Sequence, residues 1–128
     1  MNDFIDYDEA YELKILGFNE PCVKQWTYMP DLIWCTNGYM HTVEKTNDES
    51  WSDSGGDCIS APTYSQAFKW FRDYHSLYHN VIRGYGWDGM VMNTKSEQIL
   101  WRDGTYNTYE DAEKDCLKEL IKIVKEKS

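Results

Sequence analysis

Two histidines have the spacing of a metal-binding pair. His75 and His79 lie four residues apart near the expected end of a helix, where both imidazoles would face one metal ion. His41, Cys58 or an acid of the 44–57 segment would have to complete the ligand set, yet no second pair has a recognisable ligand spacing. Ordinary histidines at a helix end explain the pattern more simply. We therefore predict no metal site and no cofactor, and keep His75 and His79 only as candidates.

A glycine-rich stretch follows these histidines. The run from Gly84 to Gly89 (GYGWDG) fits GxGxxG, and with Val91 it also fits the glycine-rich loop of protein kinases. A dinucleotide-binding fingerprint leaves a strand and opens a helix, whereas this run is expected to leave a helix and enter a strand. The other kinase motifs, a nucleophile elbow, an HExxH pair and a paired-carboxylate signature are all missing. We interpret the glycines as turn residues and expect no catalytic site.

The elements that position these residues begin with a repeated signal. Three five-residue stretches share an oxygen-bearing side chain, a tyrosine, two polar residues and an alanine. They are Asp6–Ala10, Thr63–Ala67 and Thr108–Ala112. In each stretch the first side chain can accept a hydrogen bond from a free backbone N–H of a helix, and the fourth residue can reach back. The pattern predicts three helix starts.

Alternating apolar residues and turn signals predict strands between these helices. The expected elements are a helix at 7–16 that stops at Gly17, strands at 23–28, 32–35 and 39–43, a helix at 63–78, strands at 85–92 and 98–101 ended by Asp103-Gly104, and a helix at 108–127. The order α-β-β-(β)-α-β-β-α predicts an α+β fold with two layers, an antiparallel sheet and three helices on one face. The second half would repeat the first as a ββα unit.

The composition of one segment differs from the rest. We expect residues 1–128 to form a single domain, since this length can bury a core. Within residues 44–57, however, Trp51 is the only large apolar side chain among acids, serines and glycines. That composition predicts a mobile acidic loop. Trp51 would either tether this loop or form a recognition tip.

The charge balance limits the choice of partner. The chain has 13 Lys and Arg against 22 Asp and Glu, a net charge of −9. Proteins that hold a nucleic-acid backbone need a basic face, so direct nucleic-acid binding is not expected. Aromatic residues reach 16%, more than a core of this size hides completely. Some rings would be exposed at a contact surface, or the rings would brace sheets by cross-strand pairing, which is the simpler interpretation. Another protein is the expected partner, and the sequence leaves the oligomeric state open.

The cysteines and the hydropathy indicate a compartment. Cys22, Cys35, Cys58 and Cys116 form no CxxC pair, and Cys116 falls on the apolar stripe of the last helix, where a buried thiol is expected. The first residues contain no apolar signal core, and no run approaches the ~18 apolar residues of a membrane span. We expect a soluble cytoplasmic protein with reduced cysteines and no membrane contact.

Three longer stretches carry a resemblance. They are Leu16–Cys22, Ala61–Arg72 and Thr108–Glu113. In this order they resemble a group of short, uncharacterised proteins of gut-dwelling bacteria and of the phages and mobile elements that these bacteria carry. The shared residues describe helix starts and stops rather than a reaction. The resemblance therefore implies a small accessory protein and assigns no catalytic residue.

The leading functional hypothesis is a non-enzymatic intracellular protein-interaction module. Its contact surface would be an aromatic-rich sheet with the acidic loop beside it. The candidate binding residues are Trp26, Tyr28, Trp34, Tyr39, Trp51, Trp87 and Trp101. The alternative is a small-molecule or metal-binding protein, or an enzyme, with a pocket around His75, His79 and Tyr78.

A third hypothesis concerns the acids. They cluster near the start of the chain and again in the 44–57 segment, and together they would imitate a nucleic-acid backbone if folding placed them on one face. The residues are Asp3, Asp6, Asp8, Glu9, Glu12, Glu44, Asp48, Glu49, Asp53 and Asp57. The simpler explanation is that acids stabilise a helix N-terminus and keep a loop solvated.

Overall fold

The computed structural model describes residues 3–27, 31–35, 44–47 and 58–127. The chain divides into two compact units, Met1–Tyr64 and Ser65–Ser128. The single domain expected over residues 1–128 stays a prediction. The expected strand at 39–43, and most of the expected loop at 44–57, lie outside the described ranges.

The described elements alternate helices with groups of strands. They are α1 (Tyr7–Ile15), β1 (Lys24–Trp26), β2 (Leu32–Trp34), β3 (Ile59–Ser60), α2 (Tyr64–His75), β4 (Leu77–Arg83), β5 (Trp87–Asn93), β6 (Ile99–Tyr106) and α3 (Tyr109–Lys127). Three helices and antiparallel strands confirm the predicted α+β class. The strands form two three-stranded sheets, in the orders β2-β1-β3 and β4-β5-β6, where one sheet was expected.

Helix α1 begins and ends where its sequence predicts, but its N-terminal cap lacks the expected side-chain bond. Gly17 has a φ of +98°, its N–H donates to the Lys14 carbonyl (3.1 Å), and the Phe18 N–H donates to the Leu13 carbonyl (2.9 Å). This pair of bonds is a Schellman ending, so the predicted stop at Gly17 is confirmed. At the start of α1, Asp6 makes no side-chain capping bond, so the expected cap there is wrong.

The first sheet is built around β1. Its antiparallel register places Lys24 opposite Trp34, and Trp26 follows two positions after Lys24. Because side chains alternate along a strand, these three share one face of the sheet. On the other face, Gln25 pairs with Ser60, and both are buried. The sheet therefore has one face that carries Gln25 and Ser60 and another that carries two tryptophans.

Helix α2 begins after Thr63 as expected but ends earlier than expected. It stops at His75, and Ser76 adopts a left-handed conformation with a φ of 55°. The Ser76 carbonyl accepts a hydrogen bond from the Thr94 N–H (2.8 Å). Residues Leu77–Arg83 then form strand β4, where the apolar spacing predicted a helix to Tyr78. The glycine-rich run therefore follows a strand, and the expected preceding helix is wrong.

The glycines of that run have two roles. Gly84 and Gly86 lie in the turn between β4 and β5, where the Gly84 N–H donates to the Gly86 carbonyl (2.8 Å). Gly89 lies within β5, and a Cβ on it would be 3.0 Å from Cys116 Sγ and 3.2 Å from Trp101 Cζ3. Only a glycine lets α3 approach the sheet this closely. The arrangement is strand, turn, strand, unlike a dinucleotide fingerprint.

Helix α3 packs on one face of the second sheet. Its predicted cap is confirmed, since the Asp111 N–H donates to Thr108 Oγ1 (3.1 Å). The residues of its apolar stripe are all buried, which confirms Cys116 as a buried thiol. They are Ala112, Cys116, Leu117, Leu120, Ile121 and Val124.

Strand β6 runs through the expected break at Asp103-Gly104 and continues to Tyr106. Its pairing with β5 contains two register shifts. At such shifts one strand contains a residue without a direct partner on the other strand. The Asp103-Gly104 signal thus marks an irregular part of a strand rather than its end. None of the helices within the described ranges combines the length and the hydropathy that crossing a bilayer requires.

Candidate functional site

The N-terminal unit holds a cluster of rings around one lysine. We name it the aromatic surface; its members are Phe4, Tyr7, Tyr11, Lys24, Trp26 and Trp34. The Lys24 ammonium lies 4.6 Å from the centroid of the Phe4 ring and 4.5 Å from that of the Trp34 ring. A cation at these distances is attracted to both ring faces. Lys24 therefore links Trp34, on strand β2, to a residue that precedes α1.

The remaining rings of the aromatic surface are fixed by direct contacts. Trp26 Nε1 donates to the Ile5 carbonyl (3.0 Å). The Tyr7 ring stands edge-on to the Trp26 ring, with centroids 6.2 Å apart, and stacks with the Tyr11 ring at 6.5 Å. Edge-on and offset-stacked rings at these separations attract each other. These contacts hold the rings in one arrangement.

Two rings of the aromatic surface are open to solvent. Trp34 is 54% exposed and Tyr11 is 48% exposed, whereas Trp26 is half-buried. Large rings that are held on one side and exposed on the other are the side chains that dominate binding energy at protein interfaces. The aromatic surface therefore has the character of a contact site.

Acids accompany these rings along α1. Asp8 and Glu12 each follow a ring of the aromatic surface, Tyr7 and Tyr11, by one position, and Asp8 is exposed. The chain as a whole carries a net charge of −9. The aromatic surface therefore lies beside an exposed negative charge.

The predicted tryptophans of the second sheet have a packing role. The Trp87 ring stands edge-on to Tyr109 of α3, with centroids 5.5 Å apart, and the Arg83 guanidinium lies 5.1 Å from its centroid. Trp101 lies against Gly89 on the face that α3 covers. Both side chains help to seat α3 on its sheet.

The seven candidate binding residues therefore separate into three groups. Trp26 and Trp34 lie together on the aromatic surface, and Trp87 and Trp101 lie on the other sheet. The rest fall outside the described ranges: Tyr28, Tyr39 and Trp51. Sequence reasoning did not include four members of the aromatic surface, although Tyr7 and Tyr11 have the spacing of neighbours on one helix face. The others are Phe4 and Lys24.

The two histidines occupy different elements. His75 ends α2, with its ring edge-on to Trp70 at 4.7 Å, and burial lowers its pKa. His79 lies in β4, so the helical i,i+4 relation to His75 does not exist. Tyr78 precedes His79 on the strand and points to the opposite face, where its hydroxyl donates to Met92 Sδ (3.0 Å). The expected placement of all three side chains on one helix is therefore wrong, and Tyr78 and His79 point to opposite faces of the sheet.

His79 forms a different cluster with α2 and α3. Its ring stacks on Phe68 with centroids 3.5 Å apart, and its Nε2 lies 4.0 Å from Glu113 Oε2. Burial, and then the charge of Arg72, lower the pKa of His79 to about 4. The imidazole is therefore neutral at pH 7, and its contact with Glu113 is no ion pair. Its Nδ1 is buried and has no hydrogen-bond partner.

The acid beside His79 has a second neighbour. Burial raises the pKa of Tyr109, and a hydrogen bond to Glu113 raises it further. Glu113 thus accepts a hydrogen bond from Tyr109 of its own helix and not from His79. Within the described ranges, no group of three or more His, Cys, Asp and Glu side chains is arranged to hold a metal ion.

A polar cleft of about 320 Å³ lies elsewhere in the C-terminal unit, between the end of β6 and the start of α3. Its lining is Thr105, Tyr106, Asn107, Asp111, Lys114 and Asp115. Burial raises the pKa of Tyr106, as does the hydrogen bond that this hydroxyl makes to Asp115. The cleft contains neither histidine, so it is separate from the pocket expected near His75 and His79.

All four cysteines are free and buried. Burial, followed by the proximity of Cys35, raises the pKa of Cys22 to about 12, and burial raises that of Cys116 to about 11. Burial also raises the pKa of Cys35. The thiols of Cys22, Cys35 and Cys116 are therefore protonated at neutral pH and are poor nucleophiles.

Comparison with known proteins adds no further residue to these sites. No protein-family model matches the chain, and neither the curated proteins nor the solved structures contain a significant match to it.

Proposed function

We propose that the chain is a non-enzymatic protein-interaction module that binds a partner through the aromatic surface of its N-terminal unit. The observation that carries this proposal is the state of Trp34, whose ring is 54% exposed and yet held by Lys24 at 4.5 Å. A side chain that is already ordered loses little conformational entropy on binding, so more of its contact energy appears as affinity.

The partner we propose is a protein segment with positive charge and apolar groups. Trp34 and Tyr11 offer ring faces, and Asp8 offers an exposed negative charge on the helix that carries Tyr11. Arg and Lys side chains are attracted both to ring faces and to carboxylates. Because exposed charges are screened by salt, this binding should weaken as the ionic strength rises.

We propose the cytoplasm as the compartment. Free, buried thiols suit a reducing environment, and Cys22, Cys35, Cys58 and Cys116 are all of this kind. An accessory role in a phage or a mobile element would follow from the sequence resemblance. Such a role needs a binding surface and no catalytic residue.

The alternatives receive less support from the geometry. A small-molecule, metal or enzyme site near His75 and His79 needs convergent side chains, and these two histidines lie on different elements. An acidic mimic needs one continuous negative face. Most of the acids expected in the 44–57 segment lie outside the described residues.

A displayed library of random peptides tests the proposal. The purified chain serves as bait, and the affinity of each enriched peptide is then measured for wild type, Trp34→Ala and Tyr85→Ala. Tyr85 is the matched control, because it is fully exposed in the turn after β4, in the other unit.

We expect the enriched peptides to combine basic with aromatic or aliphatic residues. Trp34→Ala should reduce their affinity by on the order of tenfold or more, since anchoring rings contribute most at interfaces. Tyr85→Ala should leave the affinity unchanged. Equal losses in the two variants, or no enriched peptide that depends on Trp34, would contradict the proposal.

A further inference from the structure

The two edges of the second sheet differ in how they discourage further pairing. Among the described strands, β4 and β6 each pair only with β5. Strand β6 has two register shifts against β5, and in its middle Arg102 forms an ion pair with Asp88 (3.0 Å). Irregular ladders and charged side chains are the usual means by which proteins protect an edge strand. The β6 edge is therefore a protected edge.

Strand β4 lacks these protections. Its register with β5 is continuous from Leu77 to Arg83, and it contains no proline. The single charged side chain is Arg83, whose guanidinium turns back over the Trp87 ring at 5.1 Å. Asn80 and Ile82 are exposed on this strand. Among the described strands none pairs with this edge, and a regular unpaired edge of seven residues is a template for one more strand.

The sequence of β4 is complementary to itself. If two β4 strands run antiparallel with Asn80 opposite Asn80, then Leu77 faces Arg83, Tyr78 faces Ile82 and His79 faces Val81. All seven positions are paired and no two charges meet. A shift of the register by two residues in either direction leaves five paired positions and separates Tyr78 from Ile82. One register is thus favoured over its neighbours.

The faces of the sheet agree with this pairing. A twofold axis perpendicular to the sheet keeps each face on its own side, so side chains on the face opposite α3 meet their equivalents there. Tyr78 and Ile82 both lie on that face, because His79 between them on the strand faces α3. Aromatic and β-branched residues directly opposite each other stabilise an antiparallel pair.

We propose that two copies of this chain associate edge to edge through β4, with Asn80 on the twofold axis and six strands in one continuous sheet. This surface is distinct from the aromatic surface, and it goes beyond binding of a foreign partner. Each copy carries a net charge of −9, so the copies repel each other at a distance. Self-association should therefore strengthen as salt screens that repulsion, the opposite of the trend for a basic partner.

Sedimentation velocity over a concentration series tests the proposal with a matched pair of variants. Ile82→Lys changes the β4 edge and Ile99→Lys changes the β6 edge, and the two isoleucines are 42% and 49% exposed. Ile82→Lys should weaken the dimer by on the order of tenfold, since two symmetric Tyr78–Ile82 pairs are lost. Ile99→Lys should leave it unchanged. Circular dichroism of both variants confirms that they fold.

Disulfide trapping tests the register. In the proposed dimer Asn80 faces its own equivalent, so Asn80→Cys should form a covalent dimer under mild oxidation. Ile82→Cys should not, because Ile82 faces Tyr78. The native thiols are buried and should not compete.

Three results would overturn the proposal. They are a wild-type chain that stays monomeric at its highest soluble concentration, equal dissociation by the two lysine variants, and an Asn80→Cys chain that stays unlinked. A dimer that Ile82→Lys weakens and that Asn80→Cys traps supports it.

Discussion

Trp34 and Trp87 each have a cation over the indole ring, yet the two units use these rings differently. Lys24 lies 4.5 Å from the Trp34 centroid, and Arg83 lies 5.1 Å from that of Trp87. Trp34 is more than half exposed, whereas Trp87 also meets Tyr109 edge-on from α3. The neighbouring element decides the role, because a ring under a helix seats that helix and a ring left open is available to a partner.

The largest expected effect concerns Gly89, where α3 closely approaches its sheet. Gly89→Val should lower the free energy of unfolding by about 3 kcal/mol or more, because the added atoms meet Cys116 Sγ and Trp101 and overpack the interface. Gly84→Val, in the open turn, should cost less than about 1 kcal/mol. Urea denaturation measures both changes. Equal losses would mean that α3 is not packed tightly on the sheet.

The second test is the pH dependence of the C-terminal unit. The pKa of His79 is about 4 in the folded chain, so between pH 6.5 and 4 the unfolded state binds the proton more readily. The contribution of the neutral imidazole to the free energy of unfolding is complete above pH 6.5. It decreases as the pH drops, and the total loss is about 3 kcal/mol once the pH is below 4. His79→Phe removes the titrating group, so urea denaturation of this variant across the pH range should show a shallower decline than wild type. If the free energies of unfolding of wild type and His79→Phe depended on pH in the same way, His79 would not be a buried neutral imidazole.

The third test compares the two rings directly. Trp87→Ala should lower the free energy of unfolding by about 2 kcal/mol, because the ring packs against Tyr109 of α3. Trp34→Ala should cost under about 1 kcal/mol, since most of that ring already faces water. Chemical denaturation of the two variants gives the difference. A reversed order would remove the distinction between packing rings and binding rings.

The smallest expected effect concerns the start of the helix that covers Trp87. Thr108→Ala removes the acceptor for the Asp111 N–H and should cost about 1 kcal/mol. Thr108→Ser keeps the hydroxyl and should stay close to wild type. Because Tyr109 begins this helix and contacts Trp87, the alanine variant should also shift the tryptophan fluorescence. An unchanged spectrum would show that the first turn of α3 does not hold this ring.

Helix boundaries were predictable where a residue type determines them. Thr108 supplies a capping oxygen and Gly17 adopts a left-handed conformation without strain, and both are legible in the sequence. The end of α2 was not predictable, because Ser76 adopts the left-handed conformation there and serine is not a residue type that indicates a helix end. The apolar spacing from Phe71 to Tyr78 continues past that point, so it concealed strand β4.

The aromatic surface was predictable only in part. Alternation identified the strands of Trp26 and Trp34, but the Lys24 contact with the Trp34 ring depends on a cross-strand register that no local pattern fixes. Apolar residues bounded by turn signals likewise placed Trp87 and Trp101 on expected strands. Whether a helix covers such a strand is a property of long-range packing, and a single sequence carries no direct signal for it.

The buried thiols give each unit its own reporter of opening. Cys22 in the N-terminal unit and Cys116 in the C-terminal unit have raised pKa values and no exposed sulfur, so an alkylating reagent can reach them only when their unit opens. The rate at which each of these two cysteines is alkylated therefore measures the free energy of opening of its own unit. Mass spectrometry of the unmodified chain can read both rates in one experiment, and two equal rates would mean that the halves open together.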